Sequence, residues 1–288
     1  MGYGSYSVAD SSARSVSYAS RSISQNFKSR RLDNEMSLKG KIRESRDSDE
    51  HPESFPVIIA LDVTGSMGSI PQRLVTGDFP HIMEKVMSKG VKDLQVCFLG
   101  IGDHYYDECP IQGGQFETSD DLMEKWLMKL YIEGGGGPNM GESYSYAWIF
   151  GARNTITDAW KKRHQKGVLI TIGDETCNAS IDKSSIKEHL LESCQADITT
   201  KDILKEAQEK WDVWHINVKD WSGSRREVRE YWQDLLRDHS VDTQDANGDD
   251  ISEIITGIIT TAYEKRSKVS YTPIMNETSD SEINVSML

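Results

Sequence analysis

The stretch FPVIIALDVTGSM, residues 55–67, constrains this chain more than any other. A continuous apolar run of strand length passes at once into Asp, Thr, Gly and Ser. A strand that is apolar at every position must be covered on both faces, which favours a parallel sheet held between two layers of helices. Residues 57–62 are therefore predicted as the first strand. Similar runs follow in LQVCFLGIGD, from Leu94 to Asp103, and in GVLITIGDE, with its strand ending near Gly173; WDVWHINV from Trp211 is predicted as a fourth strand. Between them, apolar residues recur at spacings of three and four, the mark of amphipathic helices. One such set is Phe79, Ile82, Met83, Val86 and Met87. Another is Leu122, Trp126, Leu127 and Leu130, behind a T-x-x-D cap at Thr118–Asp121, and a third is Tyr144, Trp148, Ile149 and Ala152. Helices are also predicted over residues 185–210, Val228–Leu236 and Ile251–Tyr263. Strands alternating with helices in this way predict an α/β fold, a doubly wound and mainly parallel sheet with its functional groups at the carboxyl ends of the strands. Asp62, Asp103 and Asp174 should then share one rim.

The 288 residues divide into a polar, basic arm over 1–54, one domain over 55–266 and a polar tail over 267–288. The arm is rich in Ser, Tyr and Arg and poor in aliphatics, so it is expected to be loose; a segment that orders on a partner or along the domain's own surface is the alternative. Arg14, Arg21, Lys28, Arg30, Arg31, Lys39, Lys41, Arg43 and Arg46 make it basic, whereas the whole chain carries a formal charge of −13. That balance argues against a nucleic-acid partner, whose phosphates draw on clustered Lys and Arg. No apolar run reaches the roughly 18 residues of a membrane span, so no membrane partner is expected. The opening MGYGSYSVADSSARS has neither the apolar core of a secretory signal nor, with Tyr6 at the key position, a myristoylation signal. Cys97, Cys109, Cys177 and Cys194 lie far apart, without metal-ligand spacing, and read as reduced thiols in the cytoplasm.

The DVTGS loop carries the chemistry. Residues at positions one, three and five of a loop leaving a strand can turn their oxygens to one point. Asp62 offers a carboxylate there, and Thr64 and Ser66 offer hydroxyls. Such donors suit a hard cation, Mg2+ first, with Mn2+ or Ca2+ as alternatives. Asp174, at the end of another buried strand, supplies a second negative charge directly or through water. Because two of the four ligands are neutral, the ion would keep much of its Lewis acidity and favour an anionic outside ligand, such as an Asp or Glu of another protein.

VIIALDVTGSM resembles the D-x-[ST]-x-S element of the metal-ion-dependent adhesion site in von Willebrand factor A domains, and VLITIGDE resembles the later strand that ends in that site's second Asp. The order and spacing agree over residues 55–265. The resemblance implies a six-stranded sheet with a short antiparallel edge strand near Ile111–Phe116. It also implies a metal-gated adaptor without enzymatic activity, working in some relatives beside an AAA+ ATPase; a structural role, as in a virion, is the other setting. The family usually adds a Thr from the loop between the two motifs. This chain has GGGGPNMGES there, with Asn139 nearest that position and Glu142 just beyond, so both are candidate ligands. The loop glycines admit either close approach of backbone to the ion or simple flexibility.

The rival reading is a phosphatase or phosphotransferase of haloacid-dehalogenase type, with Asp62 as the nucleophile. It fits less well. Val63 stands where cation pumps have Lys, Thr64 where phosphatases have an acid, and Asn178 is one residue out of the GDxxN register. Asp103 and His104 follow a strand on the same rim and are expected as a helix cap or as solvated groups, with contact to the site or its ligand as the alternative. DANGDD near Asp245 lacks the acid alternation of a calcium loop and reads as a turn before the last helix, with Asp249 or Asp250 as its cap.

Overall fold

All eight residues of Phe55–Asp62 (β1) are buried, as an apolar run covered on both faces must be. The computed structural model describes residues 4–135, 141–219, 225–244 and 248–268. β1 lies inside a six-stranded sheet with Leu94–Ile101 (β2), Ile111–Gly113 (β3), Gly167–Gly173 (β4), Trp211–Asn217 (β5) and Ser240–Asp242 (β6). The strand order is β6-β5-β4-β1-β2-β3. Every pairing is parallel except that of β3 with β2. The sheet is therefore the doubly wound one expected, with its antiparallel edge where the resemblance implied it.

Side-chain alternation along each strand sorts the helices between the two faces. Val57, Ile59 and Leu61 of β1 pack in one core with Phe79, Ile82 and Val86 of Phe79–Ser88. Met123 and Leu127 of Asp120–Met128 join that core, as do Ile255 and Ile259 of Ile251–Lys268. Ile58 and Ala60 face the other way, against Trp148 and Ile149 of Ser145–Arg153, Ile203 of Thr200–Lys210 and Trp232 of Arg226–Leu236. In chain order, after Val8–Ala19 as α1, these helices are α2 (Phe79–Ser88), α3 (Asp120–Met128), α4 (Ser145–Arg153), α5 (Lys183–His189), α6 (Thr200–Lys210), α7 (Arg226–Leu236) and α8 (Ile251–Lys268). No helix among the described residues is long and apolar enough to cross a membrane.

One predicted helix needs correction. The helix expected over 185–210 is broken into α5 and α6, because Ile198–Thr199 pairs antiparallel with Ser180–Ile181 and the Thr199 side chain caps α6 by accepting the Asp202 N–H. α3 begins at Asp120 with Ser119 in the cap position, one residue past the Thr118 of the T-x-x-D signature, and Asp120 turns its carboxylate toward the N-terminal segment. β6 had no signal, since three half-buried residues are too few to show a period.

The N-terminal segment differs most. It lies along the domain's own surface, and Tyr6, Tyr18, Phe27, Met36 and Leu38 are buried in the two cores. Arg43–Ser45 pairs in parallel with Thr155–Thr157. α1 is fastened to α3 through Glu124, whose carboxylate accepts from Ser11 Oγ at 2.7 Å, Arg14 Nε at 2.7 Å and Tyr18 Oη at 3.2 Å; Arg14 also pairs with Asp120. Composition counts this segment's polar groups but does not reveal that their partners wait on α3. The polar tail expected over 267–288 lies, from residue 269 on, outside the described residues.

Removing one partner of a buried ion pair leaves the other unpaid in solvation. Arg14→Leu is expected to lower unfolding stability by about 2 kcal/mol in urea melts and to speed tryptic cleavage after Arg21, Lys28 and Arg31. The figure is below that for a wholly buried pair because the Arg14 side chain is 34% exposed. Unchanged stability and unchanged cleavage would show that the segment adds nothing to the fold.

Candidate metal centre

β1 and β4 are adjacent and parallel, yet the chain leaves β1 for β2 on one side and reaches β4 on the other. This is the switch point of the sheet, where the connections part and leave a crevice at the carboxyl ends of the strands. Asp62 is the last residue of β1, and Asp174 follows β4. The turn Gly65–Met67 then brings Thr64 and Ser66 back over them.

The four residues form an unbroken run of contacts. Thr64 donates to Asp62 Oδ1 from its backbone N–H at 2.8 Å and from its hydroxyl at 2.6 Å. Thr64 Oγ1 lies 3.2 Å from Ser66 Oγ, which donates to Asp174 Oδ1 at 2.9 Å. Adjacent ligands of an octahedral Mg2+ with bonds of about 2.1 Å are also separated by about 3 Å, so these oxygens would need little movement to hold such an ion. Among the described residues, no three His, Cys, Asp or Glu side chains are grouped to hold a metal. A cation here would therefore depend on the two hydroxyls as well as the two carboxylates. Asp62, Thr64 and Asp174 are buried, whereas Ser66 is exposed, which leaves one side open.

Electrostatics favour a cation. Burial first, and then the Asp174 charge, push the Asp62 carboxyl above its usual range, while the Thr64 and Tyr144 hydrogen bonds pull it down. Glu142 sits in Gly141–Glu142, paired with Thr176–Cys177, and is only 6% exposed. Its Oε2 has no hydrogen-bond partner. Burial, then Asp62, Asp103, Asp107 and Asp174, raise its pKa strongly. Glu142 thus lies near the site but outside the run of contacts, and Asn139 lies outside the described residues. The Arg225 guanidinium at this rim is engaged by Glu175 and by the Asp174 carbonyl.

Tyr144 was read only as a core position of a helix, yet its hydroxyl donates to Asp62 Oδ2 at 2.7 Å. Gly173 makes this possible, since a Cβ there would overlap the phenol. A glycine ending a buried strand was the available signal. The glycine loop also packs closely where it is described: Gly65 donates to the Gly135 carbonyl at 2.8 Å, and a Cβ on Gly65 would meet the Gly134 carbonyl at 2.9 Å. Asp103 and His104 are neither a solvated pair nor a helix cap. Asp103 Oδ1 accepts from Asn178 at 3.0 Å, and the buried His104 ring places Nδ1 2.7 Å from Ser143 Oγ, fastening the loop after β2 to the Glu142 strand. Burial lowers the His104 pKa.

No family model matches the sequence, and no curated protein does. Solved structures resemble it in fold. They include the pilus adhesin SpaC from Lactobacillus rhamnosus GG in its open conformation, with 11% identity over 77% of this chain and a TM-score of 0.48. The chain spans 31% of that adhesin. Others are the hypothetical protein BatB from Bacteroides thetaiotaomicron, at 15% identity over 75% of this chain and all of that one with a TM-score of 0.44, and proximal thread matrix protein 1 from the mussel byssus, at 9% identity over 73% and 48% with a TM-score of 0.44.

Gly173→Ala should displace Tyr144 and deprive Asp62 of a donor. The expected cost is about 2–4 kcal/mol, combining overpacking with an unsatisfied buried acceptor. A melting curve matching that of the unmodified protein would show that the Tyr144 contact does not hold Asp62.

Proposed function

We propose that this chain is a von Willebrand factor A-type module that binds a divalent cation, Mg2+ first, with Asp62, Thr64, Ser66 and Asp174, and through it a carboxylate of another protein. The observation that carries this reading is the run of oxygens from Asp62 to Asp174, spaced at 2.6–3.2 Å and exposed only at Ser66. The Thr64 and Ser66 hydroxyls direct their protons to the two carboxylates and keep lone pairs for the ion. Tyr144 and the Thr64 N–H fix Asp62 in place. The bound ion would supply a Lewis-acidic position for an Asp or Glu side chain, and the unpartnered Glu142 oxygen is a further acceptor for the ion or a water on it. An AAA+ ATPase offering such an acid is the first partner to test, in a cytoplasmic setting.

The nucleophile reading of Asp62 is less well supported. Both of its oxygens accept hydrogen bonds, one from Thr64 and the other from Tyr144, which lowers their nucleophilicity.

Mg2+ at about 100 times its Kd should stabilise the fold by about 2.7 kcal/mol, a gain that Asp62→Ala removes. Capture of a partner should require Mg2+ or Mn2+, fail with chelator and weaken more than tenfold in Ser66→Ala, as for loss of one charge-assisted contact. An unchanged melting curve across a wide range of metal concentration would overturn the site. A phosphate burst that disappears in Asp62→Asn would replace the binding function with phosphoryl transfer.

A further inference from the structure

Two large aromatic side chains stand in solvent beside the proposed cation. Tyr105 is 61% exposed and Tyr106 55%, whereas Tyr144 and Tyr146 on the same side of the molecule are fully buried. The exposed pair follows Asp103 and His104 in the loop after β2, at the carboxyl rim of the sheet. That loop reaches the DVTGS turn through one intermediary: a Cβ on Gly135 would meet Asp107 Oδ1 at 2.5 Å, and the Gly135 carbonyl accepts the Gly65 N–H at 2.8 Å. On its other flank the Ser143 N–H donates to the Gly102 carbonyl at 3.2 Å, which ties the loop to the strand of Glu142. Tyr105 and Tyr106 therefore share a rim with Ser66, the exposed member of the cation site.

The loop holds the pair in a fixed attitude. The Asp103 carbonyl accepts the N–H of Tyr106 at 3.2 Å and of Asp107 at 2.8 Å, and Asp103 Oδ1 accepts the Tyr105 N–H at 3.2 Å. Asp107 Oδ2 closes the turn by accepting the Asp103 N–H at 2.7 Å. The Tyr105 ring centroid lies 3.9 Å from that of His104, whose side chain is buried. Tyr105 is thus packed on one side and presented on the other. Among the described residues no cation lies over either ring, although the chain uses that contact at Tyr18, Trp126 and Phe55. An exposed aromatic that is already ordered loses little entropy when a partner covers it, which suits it to anchor an interface.

The surrounding charge selects what covers them. Asp62, Asp103, Asp107 and Asp174 all lie within electrostatic reach of Glu142. Glu108 is exposed two residues beyond Tyr106, and the Glu133 carboxylate accepts its N–H at 3.0 Å. Arg225 on this rim is engaged by Glu175. A bare carboxylate approaching the ion therefore meets a surplus of negative charge. A cation carried beside it offsets that repulsion, and the faces of two tyrosine rings attract a cation in their own right. We infer that Tyr105 and Tyr106 are a second contact point for the partner, taking an Arg or Lys side chain close in sequence to the Asp or Glu that binds the ion. This rests on the cation-site reading and adds to it the partner's second determinant. An apolar residue in that place would cover the rings but leave the acids of the rim unanswered.

The two readings separate in one set of measurements. The Mg2+-dependent thermal gain reports the cation site alone, and it should survive Tyr105→Leu combined with Tyr106→Leu because both rings are exposed. The full chain is panned in Mg2+ against a random peptide display library, and the recovered peptides are measured by fluorescence anisotropy. Peptides that pair an Asp or Glu with a nearby Arg or Lys are the expected result. Replacing that Arg or Lys by Gln should weaken binding about fivefold, the scale of a cation–π contact at an exposed site. The double Leu variant should lose the same about fivefold and then be indifferent to the replacement, while Tyr105→Phe combined with Tyr106→Phe, which keeps both ring faces, retains the affinity. Peptides that keep the acid but enrich apolar neighbours, or a cation whose replacement costs as much in the Leu variant as in the unmodified chain, would overturn this contact and leave the cation site standing. No Mg2+-dependent thermal gain in the unmodified chain, or no peptide whose binding is lost with chelator, would remove the cation-site reading and this contact with it.

Discussion

The arrangement rests on a carboxylate that has been taken almost wholly out of water. Asp62 ends the central strand of the sheet, is fully buried and faces Asp174 across the switch point. A charge in that position is tolerated only if other groups answer it. Thr64 answers one oxygen twice and Tyr144 answers the other. Each of those contacts imposes a further requirement. Tyr144 reaches Asp62 only because Gly173 has no side chain, and the DVTGS turn stays tight against the neighbouring loop only because Gly65 has none. The helix that bears Tyr146, Trp148 and Phe150 is thereby fixed at its start by the same residue that feeds the site.

Much of this was legible in the sequence because burial on both faces writes itself as unbroken apolar runs. β1 and the strands that flank it, β2 and β4, come closest to such runs, and so the rim that joins Asp62 to Asp174 could be anticipated. The missing parts are those whose meaning depends on a distant partner. Ser11, Arg14 and Tyr18 look like a polar tail until Glu124 is placed beside them. Ile198 and Thr199 fit a helical period, yet a pairing with Ser180 and Ile181 outweighs that weak local preference. Tyr144 was legible as apolar but not as a hydrogen-bond donor, since no local pattern tells which way a phenol will point. Whether Thr64 and Ser66 ligate a cation is a matter of chemistry that the fold makes possible.

The two ends of β4 show how one parallel strand can serve opposite electrostatic tasks. Its carboxyl end delivers the chain into a cluster of acids, Asp62, Asp103, Asp107, Glu142 and Asp174, several of which raise one another's pKa. Its amino end begins after a run of cations that meets Arg266 from α8. Seven residues of extended backbone keep these groups far enough apart that neither neutralises the other.

The composition of the proposed cation site follows from the same electrostatics. A third carboxylate in place of Thr64 or Ser66 would add to a cluster in which Asp62 and Glu142 are already pushed toward their neutral forms. Hydroxyls avoid that penalty. Each can donate its proton to a carboxylate, steadying the charge already present, and still present lone pairs to an ion. The Thr64 to Asp62 and Ser66 to Asp174 hydrogen bonds have that polarity. With only two formal negative charges supplied directly, the ion's own charge is balanced but not exceeded, and an incoming carboxylate is still attracted.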